Sequence, residues 1–167
     1  MTKGLQRSQD RGPKASANIV KDVIRLVDVS ITVESTGVGT GAVVISDFPE
    51  GNVLLLGATC TMTFDAIDQA GVTATWTGDF GVGTAPIAGD TIDGTEGNIV
   101  PSTALAAATG SVSSRTRGVN ATNAMLDNTD GSLEVNLNLV VDDVSISADS
   151  TILASGDFFV SYVMMGD

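Results

Sequence analysis

The sequence contains no histidine among its 167 residues. Histidine is the usual general base, a member of hydrolytic triads and the commonest zinc ligand, so its absence excludes histidine-dependent hydrolases and histidine-based zinc sites. The chain has one cysteine, Cys60, which excludes an intramolecular disulfide. Because Cys60 lies in an alternating apolar run, we predict a buried core thiol rather than a reactive one.

Aromatic residues make up only 4% of the chain. Glycosidases use two carboxylates, and Asp65 with Asp68 or Asp142 with Asp143 provides the residue types. Sugar-cleaving clefts also need aromatic rings that stack on the substrate, and this chain offers few. The acidic turn at residues 127–131 lacks the spacing of an EF-hand calcium loop. We therefore predict no enzyme activity, no cofactor and no metal.

Long apolar runs are also missing. The longest, residues 53–58, is far too short to span a bilayer. The first 25 residues contain no apolar core of the length found in secretory signals. We therefore predict a soluble protein that is made in a cytoplasm and has no membrane partner.

The net charge of −12 is unevenly distributed. The first 25 residues carry six of the eight cations and two acids, a net charge of +4, whereas the remaining 142 residues carry two arginines and 18 acids, a net charge of −16. Leu5 is the only large aliphatic residue of the first 18. We predict a basic extended arm at residues 1–22. Residues 23–167 have the size expected of one domain with one core.

Alternation of apolar and polar side chains predicts several β-strands. Residues 26–34 place valine and isoleucine at odd positions, which predicts a half-buried strand. Residues 54–64 and 72–80 place apolar residues at even positions, and we predict that they form a hairpin around Gly71. Residues 133–141 alternate in the same way, with asparagines on the polar side.

The remaining segments complete an all-β prediction. Residues 81–101 are rich in Gly, Thr, Asp and Pro and predict a long surface excursion. Residues 102–108 follow a proline, begin with serine and are rich in alanine, which predicts a short helix. Residues 158–165 are apolar on both faces, which fits either a central strand or a strand covered by another chain. The fold class is predicted as an antiparallel β-sandwich or jelly roll with an extended N-terminal arm.

Four segments carry a resemblance to a known type of protein. They are FPEGNVLLLGA from residue 48, TATWTGDFGVGTAP from residue 73, NIVPSTALAAAT from residue 98 and DNTDGSLEVNLNLVVDD from residue 127. With these segments, residues 42–165 resemble the head decoration or cement proteins of tailed bacteriophages. The resemblance implies a β domain in the virion, often trimeric, that bridges major capsid subunits through its terminal arm. It assigns no functional residue.

We therefore predict a non-enzymatic capsid decoration subunit whose partners are the major capsid protein, copies of itself, or both. The predicted assembly contacts are Lys3, Arg7, Arg11, Lys14, Phe158, Val160, Tyr162 and Met164. Docking of the arm on a neighbouring subunit is favoured over nucleic acid, because the cations are sparse, no aromatic residue is interleaved with them and the acidic body repels phosphates. A merely solvated tail is the third possibility. The alternative function is a tail-fibre or adhesin-type module that binds host glycans through residues 81–101 and 109–128.

Overall fold

The computed structural model describes residues 19–35, 38–67, 71–72, 75–109, 111–114, 124–142 and 146–166. Within these ranges the chain forms β-strands and one short 3₁₀ turn, Gly94–Glu96. The strands are β1 (Ile19–Val33), β2 (Gly39–Asp47), β3 (Asn52–Ala66), β4 (Thr75–Gly83), β5 (Val100–Thr109), β6 (Ser111–Ser114), β7 (Ala124–Leu126), β8 (Glu134–Val141) and β9 (Ser150–Gly166).

The strands form two antiparallel sheets. Sheet A has the order β1-β9-β3-β6, with β7 also paired to β3, and sheet B has the order β2-β8-β4-β5. With the three-residue β7 set aside, the first strand pairs with the last, β2 with β8, β3 with β6 and β4 with β5. This nested pairing, distributed over two sheets, is the double Greek key of a jelly roll. The predicted all-β antiparallel sandwich is confirmed.

The core lies between the two sheets. Phe64 of sheet A and Phe80 of sheet B are both fully buried, and their ring centroids are 5.3 Å apart. Trp76 is fully buried as well. At another point of the core, Phe48 packs edge-on against Tyr162 with centroids 5.4 Å apart. Complete burial of a large apolar side chain contributes about 1.5–3 kcal/mol, so these contacts join the sheets firmly.

β-Bulges in β1 and β3 place some side chains on the opposite face from the one that alternation predicted. In β1 the register shifts between Leu26 and Val29, so Leu26 is buried while Val27 is 70% exposed. In β3 the register shifts just after Leu55, so Leu55 is buried and Leu54, predicted to face the core, does not. A bulge of one residue moves the side chains on one side of it to the opposite face, and simple alternation does not reveal it.

Two local predictions are wrong. β3 and β4 do not form a hairpin, because β3 belongs to sheet A and β4 to sheet B. Residues 102–108 form no helix and instead lie within β5, which pairs with β4. The helix propensity of alanine amounts to only tenths of a kcal/mol per residue, and strand pairing overrides it.

Residues 84–99, between β4 and β5, pack on the outer face of sheet B over β8 and β4. The Asn138 side-chain nitrogen donates to the carbonyl oxygens of Ala85 at 3.0 Å and Glu96 at 2.8 Å. Its side-chain oxygen accepts the backbone N–H of Ile87 at 2.9 Å, and Asn138 is fully buried. The predicted surface excursion therefore packs on the sheet, and it buries an asparagine that was predicted to be on the polar side of β8.

Candidate assembly surfaces

Three of the predicted assembly contacts lie in the core. Phe158, Val160 and Tyr162 of β9 are 0%, 3% and 3% exposed, and Met164 is half-buried against the core. The side chains of Phe158, Val160 and Tyr162 are therefore enclosed by the core of the domain, whereas Met164 keeps part of its surface exposed. β9 is a central strand, and its residue Phe159 faces outward. The other four predicted contacts, Lys3, Arg7, Arg11 and Lys14, lie outside the described residues.

Five exposed carboxylates lie together where β2 ends and β8 begins, and we call this cluster the acidic tip. Two of them are directly opposite each other in the β2–β8 pair, and two belong to the loop between β7 and β8. The fifth lies beside Gly131 of that loop. The acidic tip consists of Asp47, Glu50, Asp127, Asp130 and Glu134.

Asn128 fixes the loop of the acidic tip. Its side chain is fully buried and its nitrogen donates to the carbonyl oxygens of Phe48 at 2.9 Å and Pro49 at 2.8 Å. Its side-chain oxygen accepts the Leu133 N–H at 2.7 Å, and its backbone carbonyl accepts the Gly51 N–H at 2.8 Å. Asp127 and Asp130 thus belong to a loop held by hydrogen bonds of the buried Asn128.

Within the part of the chain that the structure describes, no cation forms an ion pair with the acidic tip. Asp47 faces Glu134 across the strands, and like charges in this position destabilise a sheet. The Ser132 hydroxyl donates to Asp130 at 2.7 Å and the Ser132 N–H at 3.0 Å, which holds the pKa of Asp130 below its ordinary value. Sixteen acids and two cations are present in the described ranges, and both cations lie on β1.

The outer face of sheet A carries exposed apolar side chains, and we call it the bare face. Exposed fractions are 56% for Ile19, 56% for Val23, 44% for Phe159, 60% for Met125 and 52% for Met165. These are five of the eight large hydrophobic residues that are exposed in the described ranges. Their concentration on one face distinguishes it from the scattered apolar residues of an ordinary surface.

The bare face has two apolar rows that run across the strands. Residues that are neighbours in register form the first row, Ile19, Val163, Leu54 and Met125, in which Val163 is buried and Leu54 partly buried. The second row consists of Val23, Phe159 and the polar Thr59. Between the rows, Ser161 is opposite Gly57. A Cβ placed on Gly57 would meet no atom within 4 Å, and a shallow depression of about 260 Å³ lies here.

The structure describes only part of the residues predicted as alternatives for catalysis or sugar binding, and half of residues 109–128 lie outside it. The described residues contain no group of three or more side chains able to hold a metal ion. Asp65 and Asp142 are described, and Asp142 accepts a hydrogen bond from Thr77, but Asp68 and Asp143, with which they were paired, lie outside the described ranges. Phe80, the aromatic nearest to the predicted glycan loops, is fully buried and cannot stack on a sugar. None of the described segments forms a helix that could span a bilayer.

Cys60 is buried as predicted, with 1% exposure, and burial raises the pKa of its thiol to about 12. A folded-state pKa above the unfolded value stabilises the fold below the unfolded pKa and loses that contribution as pH rises towards the folded pKa. The stability of the wild type should therefore fall by about 1.4 kcal/mol per pH unit above pH ~9 on account of this thiol.

Urea unfolding of the wild type and of Cys60→Ala between pH 8 and 11 measures this effect. The difference in free energy of unfolding between the wild type and Cys60→Ala should change by about 2 kcal/mol between pH ~8 and pH ~10.5. Tyr162, whose pKa burial also raises to about 12, is present in both proteins and cancels. Parallel pH profiles for the two proteins would contradict the prediction.

Sequence reasoning missed both surfaces. The acidic tip could have been suspected from the turn that contains Asp127 and Asp130, but its other members come from distant segments. The bare face had one signal, the apolar residues on both faces of residues 158–165. The sequence prediction selected the even-numbered positions of this segment, whose side chains face the core. It omitted Phe159, which is exposed.

No family model matches the sequence, and no curated protein matches it. Three solved structures with weak similarity come from infectious bursal disease virus, all at 14% identity over 90% of this chain. They are the Gx strain (TM-score 0.38, 34% of that chain covered), the VP2 subviral particle (0.36, 36%) and the T13 viral particle (0.37, 34%). The chain spans about a third of the length of those proteins. At such identities and TM-scores, the jelly roll rests on strand pairing in this chain alone.

Proposed function

We propose that this protein is a non-enzymatic structural subunit of a viral capsid, and in particular a decoration or cement protein of a phage head. Its basic arm binds the acidic tip of a neighbouring subunit, which is another copy or the major capsid protein. Each arm reaches the next subunit head-to-tail, and such contacts form a ring when the rotation between successive subunits closes. The phage resemblance favours a ring of three copies within the virion.

The jelly-roll fold does not by itself indicate this function, since capsid proteins, lectin domains and cupins share it. The division of charge carries the proposal. Six of the eight cations precede residue 26, whereas the described ranges hold sixteen acids, five of them in the acidic tip. Bodies of like charge repel each other, and an arm of opposite charge offsets that repulsion.

The geometry of the acidic tip supports a binding role. Asp47 and Glu134 are paired in register although like charges there cost stability. Buried hydrogen bonds of Asn128 hold the intervening loop so that its carboxylates stay exposed. The 18 residues before β1 can extend over at most about 60 Å, which is enough to reach a neighbouring molecule.

Deletion of residues 1–18 tests the arm. We expect a variant with unchanged thermal unfolding that no longer associates, measured as solution mass against the 16.9 kDa monomer and as co-sedimentation with phage shells. Association of the wild type should weaken with salt, because the Debye length falls to about 3 Å at 1 M. Shells that carry the truncated protein at full occupancy would overturn the proposed role of the arm.

Removal of charge from the acidic tip tests its partner surface. Asp47→Asn with Glu134→Gln should raise the free energy of unfolding by a few tenths of a kcal/mol, because repulsion is relieved. The same variant should associate less. The matched control, Asp90→Asn with Asp93→Asn, removes two exposed charges from the segment over sheet B and should leave association unchanged. Equal association of both variants would indicate that the arm does not bind the tip.

A further inference from the structure

The sequence contains two Asp-Gly pairs, Asp93-Gly94 and Asp130-Gly131. Both lie exposed in connections between strands, and both glycines have a positive φ, +47° at Gly94 and +67° at Gly131. Because glycine has no Cβ, its backbone nitrogen is sterically free to attack the side-chain carboxyl of the preceding aspartate. A hydroxyl residue follows each pair, so the local sequences are alike. A difference in reactivity between the two pairs therefore comes from the fold.

Hydrogen bonds hold both reacting groups of the Asp130 pair. The Gly131 N–H donates to the backbone carbonyl oxygen of Asn128 at 3.0 Å. The Asp130 carboxylate accepts the Ser132 hydroxyl at 2.7 Å and the Ser132 N–H at 3.0 Å. These bonds from Ser132 lower the pKa of Asp130, which disfavours the protonated carboxyl from which a water molecule could leave. The nitrogen and the carboxyl of this pair are thus kept from reacting with each other.

The Asp93 pair has no such protection. Among the described residues, no hydrogen bond reaches the Asp93 carboxylate, and the Gly94 N–H has no acceptor. A Cβ placed on Gly94 would meet no atom within 4 Å, so there is free space around the pair. Only the Asp93 carbonyl oxygen is engaged, by the Glu96 N–H at 2.9 Å. The nitrogen and the carboxyl are therefore free to meet.

We propose that Asp93 is a site of spontaneous isomerisation to isoaspartate, and that the fold protects Asp130 from the same reaction. The Gly94 nitrogen forms a bond to the Asp93 Cγ, a C–O bond of the carboxyl breaks, and the oxygen leaves as water with the proton of the nitrogen. Water then opens the cyclic imide. Opening at the bond between the Asp93 carbonyl carbon and the Gly94 nitrogen gives isoaspartate. Water is the only co-reactant, and the reaction does not rest on the proposed function.

Isomerisation at Asp93 affects a buried contact. The product has one more carbon atom in the main chain before Gly94, so the turn Gly94–Glu96 must move. The Glu96 carbonyl oxygen of that turn accepts the side-chain nitrogen of Asn138 at 2.8 Å, and Asn138 is fully buried. Protein that carries isoaspartate should therefore unfold at a temperature lower by about 2–4 °C, the shift expected for the loss of one hydrogen bond in a chain of this size.

Prolonged incubation of the full chain at neutral pH, in native buffer and in urea, tests the proposal. Cleavage after glutamate separates the two pairs, because peptide 51–96 contains Asp93 and peptide 97–134 contains Asp130. Chromatography and fragmentation of each peptide then measure isoaspartate. In native buffer Asp93 should isomerise at least about tenfold faster than Asp130, since a tenfold rate ratio corresponds to about 1.4 kcal/mol and Asp130 must first break hydrogen bonds to a charged group. In urea the two rates should be nearly equal.

Two variants assign the reaction to its residue and its cause. Asp93→Ser cannot form the imide and should abolish isoaspartate in peptide 51–96, whereas Ser132→Ala removes a donor to Asp130 and should speed isomerisation there. Circular dichroism confirms that both variants are folded. Equal rates at the two pairs in native buffer overturn the proposal, as does isoaspartate that persists in peptide 51–96 of Asp93→Ser.

The unfolding temperature tests the link to Asn138 separately. Isoaspartate-containing protein that unfolds at the temperature of fresh protein would contradict that link. The Asp93→Asn change in the control for the acidic tip forms the same cyclic imide with loss of ammonia, so that control is measured on fresh protein.

Discussion

Asn128→Ala is expected to lower the free energy of unfolding by about 3–5 kcal/mol. The substitution leaves the Phe48 and Pro49 carbonyls and the Leu133 N–H without their side-chain partner. Each backbone group left buried and unpaired costs about 1–3 kcal/mol. A loss of this size is a large part of the 5–15 kcal/mol typical of a domain.

Urea unfolding measures the effect of Asn128→Ala, with Asn136→Ala as the control. Asn136 is 2% exposed, but its side-chain nitrogen donates to no group within the described ranges, so its removal should cost much less. Asn128→Asp keeps the volume and loses the donor, and it should destabilise at least as much as alanine because it also adds charge to the acidic tip. A loss below about 1 kcal/mol for Asn128→Ala would contradict the hydrogen-bond account.

Gly78→Ala is expected to destabilise the protein by about 3 kcal/mol or more. Gly78 lies in β4, between β8 and β5, and a Cβ there would overlap the Val140 carbonyl oxygen. The overlapped atom is backbone in a neighbouring strand, so it cannot move aside as a flexible side chain would. The substitution therefore forces apart two strands in the middle of sheet B.

Gly57→Ala is the matched control, since it makes the same change in a strand of sheet A. A Cβ on Gly57 meets nothing within 4 Å. Alanine there restricts the unfolded chain and should stabilise the protein by about 0.4–1 kcal/mol. Thermal unfolding of both variants should shift in opposite directions, and a similar loss in both would indicate that close approach at Gly78 is not the cause.

Much of the fold could be predicted from the sequence, because side-chain alternation is a local signal. This alternation predicted β1, β3, β4 and β8. The number and spacing of the predicted strands then indicated an all-β sandwich. The bulges after Leu26 and Leu55 were not predictable, since a bulge depends on the partner strand. The error at residues 102–108 has a similar origin, because pairing with β4 decides the structure there.

The candidate site was less predictable than the fold. The separation of charge along the chain predicted a basic arm and an acidic body. The acidic tip required the tertiary structure, because Asp47 and Glu134 are distant in sequence and neighbours only in sheet B. Burial of Asn128 was equally hidden, since the residues around it indicate an exposed turn. The bare face could be identified only from the structure, in which Phe159 of β9 faces outward.

The place of β9 in sheet A has a consequence for biosynthesis. β9 lies between β1 and β3, yet it follows every other strand in the chain. While a nascent chain is still on the ribosome without β9, β1 and β3 lack a pairing partner along most of their length, and such open edges invite aggregation. Sheet A is therefore completed only when β9 pairs with both of its neighbours, and β9 is the last of the described strands to be synthesised.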